Sequence, residues 1–332
     1  MTTKKLFITL IIATLFISGC KYSKPVLDGR VTNSQNKTMQ QLERQVKKKN
    51  TTTDNLKEGN EAHIVWANPA APAKTEYVLV YLHGFSASCK EGYPTNIDFA
   101  KRYGINMYCS RLAEHGLSGD EPMKNLTAEK YLESAKDALK IGRQMGDKVI
   151  LMSTSTGGTL SLKLAADNPW IYALIMYSPN VDVVDQKAHW LSNKLGYGMA
   201  KMVKGKMITY DDDPPEVQKY WQSQYHINGV RAMIMLVENT MVPETFNNVK
   251  QPVFLGYYYK NEEEKDPTVR VDALLKMYDE LGTPDNLKEK VAFPNAGCHP
   301  IASSIYNEHY EDVEQKTYEF AEKVLGMKPV NN

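Results

Sequence analysis

The sequence predicts an α/β fold, with a mostly parallel central sheet, helices on both faces and a helical cap inserted late in the chain. Three observations carry this. From Glu61 onward, short apolar runs of strand length alternate with longer stretches of helical period, the pattern of a parallel sheet wound by crossover helices. The best of those runs are apolar throughout, as strands buried on both faces are. One connection, about residues 180–250, is far longer than an ordinary loop between neighbouring elements.

The bulk numbers suit that reading. The chain has 332 residues, enough for one large α/β domain with an insertion. Forty basic and 39 acidic residues leave a formal charge of +1, which offers no electrostatic argument for nucleic acid as a partner. The four cysteines, Cys20, Cys89, Cys109 and Cys298, fit neither a zinc spacing nor a CxxC redox motif, and the seven histidines include no HExxH pair. No metal and no cofactor are expected.

The first element is an address. Lys4 and Lys5 precede an apolar stretch over residues 6–17, too short to span a bilayer comfortably and of the length of a signal-peptide core. It ends at Ile17-Ser18-Gly19-Cys20. This resembles the lipobox of bacterial lipoproteins, which implies lipidation at Cys20, a membrane anchor and a place in the cell envelope. Lys21 stands where an Asp would favour retention at the inner membrane, so the outer membrane is favoured. Residues 21–60 are polar and poor in large apolar side chains, and they read as a tether with a short polar helix near residues 39–49.

The folded body is expected over residues 61–330. Strands are predicted at residues 61–66, 77–82, 105–109, 148–152, 173–177, 253–259 and 290–293. Helices are predicted at 127–145 with Thr127 as N-cap, at 156–166, at 271–281 and at 308–325. The long insertion is rich in Met and aromatic residues, among them Trp190, Trp221, Tyr225 and Met233, and reads as a cap over the strand ends.

At the end of the fourth strand the apolar run breaks into Ser153-Thr154-Ser155-Thr156-Gly157-Gly158. A small-x-Ser-x-Gly turn between strand and helix is a nucleophile elbow, tight enough that only small residues fit two places either side of the serine. A serine is a weak nucleophile at neutral pH and needs a base and a group that orients the base. His299 lies in a small-residue loop between the last strand and the last helix, where a base belongs. The acid is expected after the strand at residues 253–259, where Glu262, Glu263, Glu264 and Asp266 stand. Asp266 is favoured, with Glu263 or Glu264 as alternatives. The oxyanion donors expected are the backbone N–H groups of Thr156 and of Phe85, in Leu82-His83-Gly84-Phe85 after the second strand.

With those pieces quoted, the segment from about residue 61 to 325 resembles the α/β-hydrolase superfamily, and within it the carboxylesterase and monoacylglycerol-lipase-like members. Ser153 departs from that pattern, standing where the elbow usually begins with Gly, and His115-Gly116 resembles a turn read here as structural. The resemblance implies a serine hydrolase that cleaves carboxylic esters, with an apolar acyl part, through an acyl-enzyme on Ser155. The expected partners are a small-molecule ester or lipid and, through Cys20, the membrane. The alternatives are a thioesterase, aminopeptidase or acyltransferase on the same three residues, and a non-catalytic binding lipoprotein. The oligomeric state is not readable from the sequence.

Overall fold

Alternating side chains on buried strands must find apolar partners on both faces of a sheet. The computed structural model, which describes residues 25–32, 36–210 and 213–330, shows how they do. Seven strands form one sheet: β1 (His63–Val65), β2 (Thr75–Leu82), β3 (Asn106–Cys109), β4 (Gly146–Thr154), β5 (Ala173–Tyr177), β8 (Val253–Tyr257) and β9 (Lys288–Ala292). Their order is β1-β3-β2-β4-β5-β8-β9, and every neighbouring pair is parallel except β1 with β3. The remaining strands, β6 (Met207–Thr209) and β7 (Gln224–His226), pair antiparallel in the insertion.

Ten α-helices complete the described residues: α1 (Met39–Thr51), α2 (Thr95–Arg102), α3 (Ala128–Met145), α4 (Thr156–Asp167), α5 (Lys194–Lys204), α6 (Pro215–Tyr220), α7 (Ile227–Thr240), α8 (Pro243–Asn248), α9 (Val271–Glu280) and α10 (Tyr310–Lys323). Thr127 caps α3 through its hydroxyl, which accepts from the Lys130 N–H. Val78, Val80 and Leu82 of β2 join Val149 and Leu151 of β4 in a core shared with α3, α4 and α9. The alternate residues Leu79, Tyr81, Ile150 and Met152 face Phe99 of α2 and Phe320 of α10. Period-two alternation on the central strands therefore fills both layers.

Residues 25–32 and 36–60 depart from the tether expected over 21–60. Leu42 and Val46, four apart on one face of α1, are buried in the first core, as are Leu27 and Val31. The Val31 N–H donates to Asn168 Oδ1 at 2.8 Å, and Asn168 Nδ2 donates to the Gly29 carbonyl at 2.8 Å. A capping box between Thr38 and Gln41 starts the helix. A few apolar side chains at helical spacing suffice when the body supplies the other half of the contact, which low average hydrophobicity conceals. The signal-like segment and Cys20 lie outside the described residues. No helix among the described residues is long and apolar enough to cross a membrane.

All loops that follow the C-terminal ends of β2, β4, β8 and β9 open at one edge of the sheet, and the segment between β5 and β8 carries α5 to α8 with the β6–β7 pair beside that edge. This is the edge at which parallel α/β sheets place their ligands.

Candidate active site

The turn from β4 into α4 is forced. Ser155 has φ 54° and ψ −123°, a left-handed conformation that costs a non-glycine residue on the order of 1–3 kcal/mol. Neighbouring strands hold it there. The Ser155 N–H donates to the Tyr177 carbonyl at 3.0 Å, and the Ser155 carbonyl accepts from Asn180 at 2.9 Å and Gly158 at 2.8 Å. A side chain at Gly157 would place its first carbon 1.9 Å from the Leu82 carbonyl oxygen, so glycine is required. Ser153 is fully buried between Leu82 of β2 and Met176 of β5, and its small side chain is accommodated there in place of the usual Gly.

The loop after β2 is pinned on both sides of Gly84. His83 Nδ1 lies 2.9 Å from the Gly84 carbonyl, and His83 Nε2 accepts the Leu112 N–H at 3.1 Å. An amide can only donate, so Nε2 is the unprotonated nitrogen and Nδ1–H donates to Gly84. Burial pushes the His83 imidazole down to about 4, which keeps this neutral tautomer. His83 is therefore a structural strut. His115 plays a similar part, with Nδ1 2.7 Å from the Ala113 carbonyl and Nε2 3.2 Å from the Tyr131 hydroxyl. Among the described residues no protein group accepts the N–H of Phe85 or of Thr156.

Asp266 and His299 meet across the ends of β8 and β9. His299 Nδ1 lies 2.8 Å from Asp266 Oδ2 and 3.0 Å from Oδ1, and Oδ1 also accepts from the Thr268 N–H at 2.9 Å and the Val269 N–H at 3.0 Å. Burial would raise the Asp266 carboxyl, but the charge and hydrogen bond of His299, with the two amides, hold it below the usual carboxylate range. Burial would lower His299, but the charge and hydrogen bond of Asp266, and the charge of Glu91, raise it. With Nδ1–H given to the carboxylate, Nε2 carries the free lone pair, and Nε2 is buried with no protein partner among the described residues. Glu263 and Glu264 stay on the surface, tied to Asn261 and Lys260. The neighbouring Cys298 thiol is pushed up to about 12 by burial and by the Asp266 charge, which makes it a poor nucleophile.

Two features escaped the sequence reading. Cys89 and Cys109 form a disulfide that ties the 3-10 turn Cys89–Gly92 to β3. Glu91, in that turn, is buried at 2% exposure, and its Oε2 accepts the Gly84 N–H at 2.6 Å. Nothing in the local pattern of Lys90-Glu91-Gly92 signals burial. In the cap, Tyr225 packs edge-on against Phe85, while Met233, Ile234 and Val237 of α7 cluster with Val183 and Phe85. Asn180 Nδ2 reaches Met233 Sδ at 3.2 Å and Thr156 Oγ1 at 3.5 Å, which puts this apolar group beside the elbow. Trp190, Met199 and Met202 point to solvent instead.

A sequence model of the family described as serine aminopeptidase, S33, matches residues 73–251, more than half of the chain. The chain belongs to that family. It is a serine hydrolase of the α/β-hydrolase fold. No curated protein matches the sequence. Solved structures share the fold at low identity. One of the two metagenome-derived lipolytic enzymes LipS and LipT is 15% identical, with a TM-score of 0.65 over 81% of this chain and 99% of that one. A monoacylglycerol lipase of Paleococcus ferrophilus is 17% identical, with a TM-score of 0.58 over 78% and 96%. A soluble variant of the Saccharomyces cerevisiae monoglyceride lipase, solved with a substrate analogue, is 15% identical, with a TM-score of 0.55 over 78% and 91%.

Proposed function

We propose that this family member cleaves carboxylic esters with an apolar acyl group through an acyl-enzyme on Ser155. The observation that carries the reading is the His299–Asp266 pair, which leaves a buried imidazole nitrogen with a free lone pair at the sheet edge that also bears the strained Ser155. In this reading His299 Nε2 takes the Ser155 proton as Oγ attacks the acyl carbon, and the Phe85 and Thr156 N–H groups stabilise the oxyanion. The oxyanion collapses, the C–O bond to the alcohol breaks, and His299 returns the proton to the leaving alcohol. Water then repeats the sequence on the acyl-enzyme, releasing acid and free Ser155. Asp266 keeps the imidazole in the required tautomer and stabilises its charged form.

The apolar group of Phe85, Val183, Met233 and Val237 supports an apolar acyl chain, as does the likeness to lipolytic enzymes and monoacylglycerol lipases. The family's description supports a second reading, amide cleavage at an amino-terminal residue. A fluorophosphonate probe should label the protein and not Ser155→Ala, and a panel of esters, thioesters and aminoacyl amides separates the two readings. No labelling would sink both.

Export through the residue 1–20 segment and lipidation at Cys20 belong to the same proposal. The Cys89–Cys109 disulfide supports it, since such bonds persist in oxidising compartments. Metabolic labelling with a palmitate analogue should mark the wild type and not Cys20→Ala.

A further inference from the structure

Among the described residues two carboxyl groups are buried, Asp266 and Glu91, and both act electrostatically on His299. The proposed chemistry uses only the first. Glu91 reaches the site from the other side. A carbon built on Gly84 would lie 2.7 Å from Glu91 Oε1 and 2.9 Å from Ser155 Cβ, so the carboxyl and the proposed nucleophile flank Gly84. The Tyr81 hydroxyl lies 2.8 Å from Thr154 Oγ1, directly before Ser155.

The contacts on Gly84 explain what such a group does. Its N–H is held by Glu91 Oε2 at 2.6 Å, and its carbonyl by His83 Nδ1 at 2.9 Å. Fixing both peptide planes that flank a residue fixes its φ and ψ. In a trans peptide the C=O and N–H point in opposite directions. The Gly84–Phe85 peptide, with its carbonyl turned to His83, therefore directs the Phe85 N–H away from His83. Glycine here has no side chain to restrict rotation, so without both anchors that direction is lost.

We propose that Glu91 is a positioning residue for acyl transfer, whose carboxyl oxygen sets the Gly84 backbone so that the Phe85 N–H meets the developing oxyanion. This rests on the serine-hydrolase reading of the site given above. Burial pushes the Glu91 carboxyl up to about 7, against the Gly84 N–H and the His299 charge that lower it. Either protonation state retains an acceptor oxygen for Gly84.

The test uses the full chain and a matched pair of near-equal volume: Glu91→Gln, which keeps an acceptor, and Glu91→Met, which does not. Rates are expressed per site titrated with a fluorophosphonate. Glu91→Met should lose about 10²-fold in kcat on a chromogenic ester, the scale of losing one oxyanion donor, with little change in KM. Glu91→Gln should restore most of it. A merely structural role would lower the melting temperature and the number of titratable sites but leave kcat per site unchanged. Wild-type kcat in Glu91→Met, or equal losses in both variants, overturns the proposal. If Glu91→Met does not fold, Glu91→Asp, which withdraws the carboxyl by one methylene, should show the kcat loss, and wild-type kcat there overturns it equally. A wild-type protein that neither labels nor turns over esters refutes the underlying reading instead.

Discussion

Asp182 and Arg270 are joined twice: the Arg270 N–H donates to the Asp182 carbonyl at 2.9 Å, and the Arg270 guanidinium to the Asp182 carboxylate at 3.0 Å. Asp182 follows β5, where the cap begins, and Arg270 stands four residues after Asp266. The Val184 N–H adds a bond to the Thr268 carbonyl at 3.0 Å. The base of the cap is therefore tied to the loop that carries Asp266.

His189 closes the same cluster and gives it a pH dependence. Its Nε2 lies 2.8 Å from Asp182 and its Nδ1 2.7 Å from Glu238, with Arg270 and Asp272 beyond. Burial lowers the imidazole, but hydrogen bonds to Glu238 and Asp182 outweigh it, so the net shift is upward. A raised folded-state value means stability fully present below the unfolded value, about 6.5, and lost as pH rises through the folded value. The melting temperature should fall as pH rises above about 6.5, and His189→Gln should remove that part of the slope. After solvent screening the contribution is about 1 kcal/mol or less.

Asp266→Asn tests the acid. The amide nearly preserves shape but removes the charge and favours the wrong imidazole tautomer, so kcat should fall by about 10⁴-fold. In the proposed mechanism activity needs neutral His299 and so is lost as pH falls through its raised value. Without the Asp266 charge that acid limb should move to lower pH. An unchanged limb in the pH profile of kcat/KM would place the controlling group elsewhere.

The disulfide should contribute measurably to stability. Cys89 and Cys109 are 20 residues apart, and closing a loop of that size is worth about 3 kcal/mol in the chain-entropy account. Replacing both cysteines with serine should lower the unfolding free energy measured in urea by that amount, and a reductant should have no further effect on the double variant.

Leu42→Ala tests whether the segment before β1 is part of the fold. Leu42 is fully buried against the first core, so truncation should cost about 3 kcal/mol in urea unfolding. A free tether would show no loss.

Much of the sheet was legible because its signals are local. The apolar runs at β2, β4, β5 and β8 are period-two or continuous, and the strands they predict form with small changes at the ends. The edge strand β1 is shorter than its run suggests, His63–Val65, because it pairs on one side only, with β3. The tether expected over residues 21–60 gives way to packed chain at residues 25–32 and 36–60 because burial there depends on the partner surface rather than on their own composition. The sequence favours Asp266 over Glu263 and Glu264, and the fold turns Asp266 inward to His299 while the two glutamates stay on the surface.

The elbow at Ser155, the His83-Gly84 loop and the small-residue loop of His299 are readable from adjacent residues, because each is a short-range steric requirement. Only the tertiary structure decided that Asp266 meets His299, that Cys89 pairs with Cys109, and that Glu91 is buried against Gly84. These are contacts between residues whose spacing along the chain carries no periodicity, and they exist because parallel strands bring the ends of distant segments to one edge of the sheet.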